Sequence, residues 1–450
     1  MSSSDFRTCI SLAHSESWQD EIRLGLNGLL KSSRLQLYYL GGLLLQRGVP
    51  FLFMPMLIRL YGQQVYALYL LFYSTVQLGG IFSSLAVPLS PIAFWSRVER
   101  KQQLVLTSTV LIAVLLTAIG SILAIPLFQL YRRMFAGFEV GWLTILGLIY
   151  IAQYAVSQFL VSLHRAMDSS KCFFGAQLLG AIALAWAALF NAAGASLIRL
   201  VLAFLASLCL QNCFLLISSA DLYGNLRKGD INRGLARNLL AYSAPLVLYT
   251  GAGLFMYWID KFLVKLHFDI AHFSTFSITF QYAFAQAFLA QVLGFYTFPA
   301  ICRIIANESR RELKRFLLTY NTLIVICGVI YAAVIFTING WIYPLHIERV
   351  GFAMLCAAFV SMNLSANYVN TLYALHRTVF VAIVGVCSAV ELALLIAISC
   401  RLQYIELCYL SHLVVSFGIL AGLWWGCRHY AKPSSEFIRS YAVIETGGTR

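Results

Sequence analysis

The residues most able to do chemistry in this 450-residue chain are the few ionisable side chains set inside long apolar stretches. Arg47 follows Gln46 and precedes Pro50, about halfway along the apolar run Leu35 to Leu60. Asp260, Lys261 and Lys265 stand near the end of the run Leu239 to Leu266, and Glu391 is the lone acid of Cys387 to Ile396. A charge at the centre of a bilayer costs at least ~2.5 kcal/mol unless it is solvated or paired. Arg47 can therefore present a bidentate fork to a phosphate beside a proline kink, or pair with a carboxylate elsewhere in the bundle. Asp260 and Lys261 are neighbours in sequence and do not face each other on an ideal helix, so Asp260 is expected to pair with another span. The functional alternative gives Asp260 a proton or Na⁺ to carry and Lys261 a substrate to face. Glu391, buried and alone, is a second candidate for ion coupling, or else a protonated structural residue.

Uncharged polar side chains recur at helical spacing in the same kind of stretch. Ser74, Gln77 and Ser84 share one face, as do Gln153 and Ser157, Gln281 and Gln291, and the triplet Asn363, Asn367 and Asn370. Side-chain amides suit sugar hydroxyls, and they also hold helices together in lipid. With Arg47 and Lys261, the candidates for substrate binding are thus Gln77, Gln153, Gln281, Asn363, Asn367 and Asn370. His164, His346, His376 and His412 fit no ligand or catalytic spacing and read as core or interfacial residues. The 11 cysteines form no CxxC pair, and neither a metal nor a cofactor is expected.

The elements that position these groups follow from composition. Apolar residues make up 60% of the chain and charged residues 11%, with a mean hydropathy of +0.78. The apolar residues cluster in about twelve stretches of roughly 20 or more, each long enough to cross about 30 Å of hydrocarbon as a helix. The expected fold is an all-α polytopic membrane bundle of about twelve transmembrane helices in two six-helix lobes. A cytoplasmic leader (1–34) with amphipathic spacing precedes the N-terminal lobe (35–218), a basic linker (219–238) leads to the C-terminal lobe (239–427), and a tail (428–450) follows. The run Tyr66 to Trp95 is too long for one straight span and holds Pro88 and Pro91, so its far end is expected to bend. The net charge of +14 does not point to nucleic acid, because 23 of the 32 Lys and Arg fall on alternate loops and only six on the opposite ones. The positive-inside rule then places both termini in the cytoplasm. The first apolar run exceeds a signal-peptide core and lacks a small-residue cleavage site, so it is expected to remain as a span.

At this level a family resemblance enters. The run Pro55-Met56-Leu57-Ile58-Arg59-Leu60-Tyr61-Gly62, followed by Tyr66 and Tyr69, resembles the first span of O-antigen and exopolysaccharide flippases of the Wzx type, in the MOP superfamily that includes the MATE exporters. Tyr242, Pro245, Asp260 and Lys261 resemble the seventh-span counterpart, with Ala67 and Lys261 departing from the usual Gly and Arg. The resemblance implies alternating access about a central cavity. It implies as substrate an undecaprenyl-pyrophosphate-linked oligosaccharide moved across the bacterial inner membrane, with a polymerase and a chain-length regulator of the same pathway as partners alongside bilayer lipids.

Two other classes compete. A MATE-like antiporter of small cations needs an acid-rich pocket, whereas the mid-membrane acids are few and Arg47 would repel a cation. An intramembrane polymerase or acyltransferase needs a paired acid–base constellation, and none is evident, so the chain is not expected to be an enzyme. No GxxxxGK[ST] phosphate loop is present.

Overall fold

The computed structural model describes residues 38, 41–95, 98, 100–135, 138–167, 169–190, 196–224, 231–287, 297, 301, 304–305, 310–339, 347–375 and 377–430. Among these the chain is helical, as the apolar runs require: without water, only intrahelical bonds satisfy the backbone inside hydrocarbon. The spans are α1 (Val49–Tyr61), α2 (Gln63–Ser84), α3 (Lys101–Met134), α4 (Val140–Ala166), α5 (Ser170–Phe190) and α6 (Leu197–Ser218). The second six are α7 (Arg233–His267), α8 (Ile270–Phe284), α9 (Arg310–Thr337), α10 (Arg349–Ala374), α11 (Thr378–Arg401) and α12 (Ile405–Tyr430). Ten described helices are long and apolar enough to cross a membrane, and α7, bent by 42°, makes eleven. α8, at 15 residues, is shorter than these, and most of the run that follows it lies outside the described residues. The leader and the last twenty residues also lie outside them.

Local chemistry explains where the spans bend and stop. A π-helical turn, Leu44–Gly48, feeds α1 just before Pro50, a proline that cannot donate its backbone bond. Gly62, at φ +85°, separates α1 from α2 in a conformation that glycine adopts without cost. The expected bend in the second long run is real. Leu85 and Ala86 both turn left-handed, a 3₁₀ turn follows at Val87–Leu89, and the short helix Ser90–Phe94 carries Pro91 in its first turn. The break in α7 falls between Ala244 and Leu246, at Pro245.

The helices group by sequence. In the first half α5 and α4 pack on α6, and α2 on α4; in the second, α10 and α11 pack on α12, and α7 on α11. The halves meet where α2 packs on α7 and α8, and where α3 touches α7. The linker is pinned to the first half by the Asn232 backbone N–H, which donates to Thr107 Oγ1 at 3.2 Å. Faces turned away from the bundle are apolar, as at Ile122 and Ile125 on α3 and Val329 and Ile330 on α9. This is the exterior a bilayer calls for.

Candidate functional site

Among the described residues, the densest charged cluster sits in the second half, where α7, α8 and α12 converge. Asp260 is fully buried and Lys261 is 3% exposed. Lys261 bends its apolar stem back along α7, which sets Nζ 3.6 Å from Asp260 Oδ1 and lets it donate to the Tyr257 carbonyl at 2.6 Å. The Lys261 backbone N–H donates to the same carboxylate oxygen at 2.5 Å. The ammonium also lies 3.9 Å from the centroid of the Phe280 ring on α8, a cation–π contact. From α12, His412 brings Nε2 to 3.2 Å from Asp260 Oδ2. That is ion-pair distance without hydrogen-bond alignment, since both atoms lack a hydrogen-bond partner. Phe280 also packs on the His412 ring at 5.3 Å, and Phe276 stacks on Tyr409 at 5.1 Å. One carboxylate is thus held between two groups able to carry positive charge, under an aromatic cover.

This cluster corrects one expectation. Asp260 does pair with another span, but it meets its sequence neighbour as well, because a four-carbon stem can fold back where an ideal helix direction would not lead. His412 is buried, the core histidine expected, and it faces the Asp260 carboxylate. Its signal was present only across 152 positions of sequence, too far for any spacing rule to join. Lys265, half-buried, stays outside the cluster, 6.0 Å from the Phe273 ring.

The amide stripes divide. Asn212 Nδ2 donates to both the carbonyl and the side-chain Oε1 of Gln153, at 2.9 and 2.8 Å, tying α6 to α4. Asn363 donates to the Gln286 carbonyl at 3.3 Å, Asn367 to Asn321 Oδ1 at 2.9 Å, and Asn370 to Thr297 Oγ1 at 3.5 Å. The triplet therefore ties α10 to α9 and to the run beyond α8. The side chains of Gln77 and Gln281 are half-buried and have no hydrogen-bond partner among the described residues. Arg47 lies within the π-helical turn, and its side chain is outside the described residues. Glu391 is a correction: it is exposed on the outward face of α11, flanked by the exposed Val390 and Leu394, and is not a buried carboxylate. Its neighbours in sequence are apolar although that face is exposed, a pattern that a core helix shares.

The seam between the halves is aromatic. Trp258 Nε1 donates to Thr75 Oγ1 at 2.9 Å, joining α7 to α2. Phe51 on α1 meets Tyr282 on α8 edge-on at 5.4 Å, and Tyr331 donates to the Tyr282 carbonyl at 2.5 Å. Behind it, Tyr69 stacks on Phe204 at 4.3 Å and on Tyr73 at 6.0 Å. Tyr66, Tyr69 and Tyr73 were visible in sequence at helical spacing and were not read as a site.

No protein-family model and no curated protein matches the sequence. Solved structures do match. An inward-facing multidrug resistance MATE family transporter of the MOP superfamily is 13% identical with a TM-score of 0.60, covering 88% of this chain and 94% of that one. An outward-facing form is 12% identical at 0.61, over 89% and 95%, and a MATE in complex with MaD3S is 12% identical at 0.63, over the same shares. At such identity the likeness is one of fold, and the chain has the helical membrane bundle of the MATE transporters.

Proposed function

We propose that this chain is a transporter that works by alternating access and flips a lipid-linked oligosaccharide, carried on polyprenyl pyrophosphate, across the bacterial inner membrane. The observation that carries the reading is the state of the interior acids. Among the described residues, Asp260 is the one acid buried within the spans, and Lys261 and His412 already flank it. A cationic cargo would find no free carboxylate there, whereas a sugar head group needs amides and aromatic faces, which the interior supplies at Gln77, Gln281 and the tyrosines of α2. The Wzx-like run Pro55 to Gly62 adds the substrate class, and Arg47 and Lys261 are the cations proposed to meet the pyrophosphate.

Asp260 is the proposed coupling group. With Lys261 on one oxygen and His412 facing the other, the carboxylate has room for a proton more readily than for a hydrated metal ion, and protonation would release both partners. The MATE fold favours a second reading, an antiporter of small cations. The test is a cell that depends on this chain for surface polysaccharide. Loss of polysaccharide with build-up of lipid-linked repeat units on Asp260→Asn, at equal protein level, supports the flippase. Unchanged polysaccharide combined with lost export of cationic dyes turns the assignment to the antiporter.

A further inference from the structure

On the outer wall of the second half, α9, α10 and α12 enclose an apolar groove of about 300 Å³, away from the Asp260 cluster. Its lining includes Leu364, Phe417, Leu420 and Trp424, with Asn321 and Tyr368 joined by a 3.3 Å hydrogen bond. Phe417, Leu420, Trp424 and Arg428 fall on one stripe of α12 by helical spacing. The guanidinium of Arg428 sits 4.5 Å over the Trp424 ring, so the wall of the groove itself holds a cation at one end. Arg428 is exposed and has no acidic partner among the described residues. On α9, Lys314 stands two turns from Asn321 on the same face and is exposed, while Glu312 falls on the opposite face. From Phe417 to Arg428 the stripe spans roughly 16 Å at 1.5 Å per residue, close to half of a hydrocarbon core about 30 Å thick.

We propose that this groove is a binding site for an anionic phospholipid of the leaflet on the C-terminal side of α12. One acyl chain lies along Leu420 and Phe417, and the phosphate is held between Arg428 and Lys314. The charge argument sets the occupant: any bilayer chain could fill an apolar groove, but two unpaired cations at its interfacial end select a phosphate with net negative charge. Trp424 supplies the boundary, its ring lining the groove and its face under the guanidinium. The site is independent of the transported substrate.

The test uses the purified full chain in vesicles and reads quenching of tryptophan by lipids brominated on the acyl chain, with Trp424→Phe defining the share that comes from the groove. Brominated phosphatidylglycerol should quench that share with an affinity about tenfold above brominated phosphatidylcholine. The pair Lys314→Gln and Arg428→Gln, both exposed and outside the packed interior, should bring the ratio near one. Ala421→Phe, which fills the groove, should abolish both signals. Equal quenching by the two lipids in the unaltered chain would overturn the proposal, as would a preference that survives loss of both cations. Displacement of phosphatidylglycerol by a substoichiometric amount of polyprenyl phosphate would overturn the assignment to a phospholipid.

Discussion

In the first half of the bundle, three buried contacts between helices among the described residues are neutral: Asn212 on Gln153, the Ser207 hydroxyl on the Gly180 carbonyl at 2.7 Å, and His164 Nε2 at 2.9 Å from the Leu215 carbonyl. In the second half a carboxylate, an ammonium and an imidazole are buried together. Neutral contacts of the first kind contribute modestly, about 0.6–2 kcal/mol each in lipid. A buried charge cluster contributes little net stability, yet removing one member leaves the others uncompensated. The halves therefore differ in what they risk: loss of one neutral contact costs little, whereas loss of one member of the charge cluster leaves its partners buried without a counter-charge.

The sharpest way to break this contrast is at Asp260. Asp260→Ala should destabilise by about 3–5 kcal/mol, because Lys261 keeps a buried charge without its counterion. Asp260→Ala combined with Lys261→Met should recover much of that loss, read as thermal stability in detergent. A double variant no better than the single would show that the pair is not coupled. Next, in the first half, Gly80 packs so closely on α4 that a Cβ would lie 2.7 Å from Tyr154 Cδ1. Gly80→Ala should cost about 1–3 kcal/mol by overpacking, with no change in the pH dependence of transport, whereas variants around Asp260 should shift that dependence. Smaller again, Asn367→Ala removes the bond to Asn321 and should cost about 0.6–1.7 kcal/mol. A much larger loss would move the amide ladder into the same class as the charge cluster.

The smallest effect is expected outside the spans. Asp269 caps α8, its carboxylate accepting from the His272 backbone N–H and facing His272 Nδ1, both at 2.8 Å, and these bonds hold its pKa below the usual carboxylate value. A lowered carboxyl pKa means that the cap is intact above the ordinary value and is lost only as pH falls through the lowered one. Asp269→Asn should leave stability at neutral pH nearly unchanged and remove this acid-range dependence, as followed by thermal unfolding against pH.

The spans were legible because apolar length is a one-dimensional signal: the run Leu239 to Leu266, read from hydropathy, lies within α7, Arg233–His267. The bend after Ser84 was legible through Pro88 and Pro91, although the turn itself is made by Leu85 and Ala86, residues with no turn signature. The site was legible in part. Asp260 and Lys261 announced themselves as charges in an apolar run, but their geometry depends on side-chain torsions that sequence does not state. His412 comes from a helix five spans later, and only packing brings it in. The burial expected of Glu391 differs for another reason, since an apolar neighbourhood in sequence describes an exposed helix face in a membrane protein as well as a buried one.

The left-handed pair at Leu85 and Ala86 has a consequence for motion. Each non-glycine residue there carries roughly 1–2 kcal/mol of steric cost, held in place because Ala86, Val87 and Ser90 are fully enclosed. Strain stored in this turn is released only when its enclosure loosens, which favours opening at the end of α2 over opening within it. Amide hydrogens around Leu85 should then exchange with solvent sooner than those in the middle of α2, which makes this turn a built-in place of first opening for a helix that touches both halves.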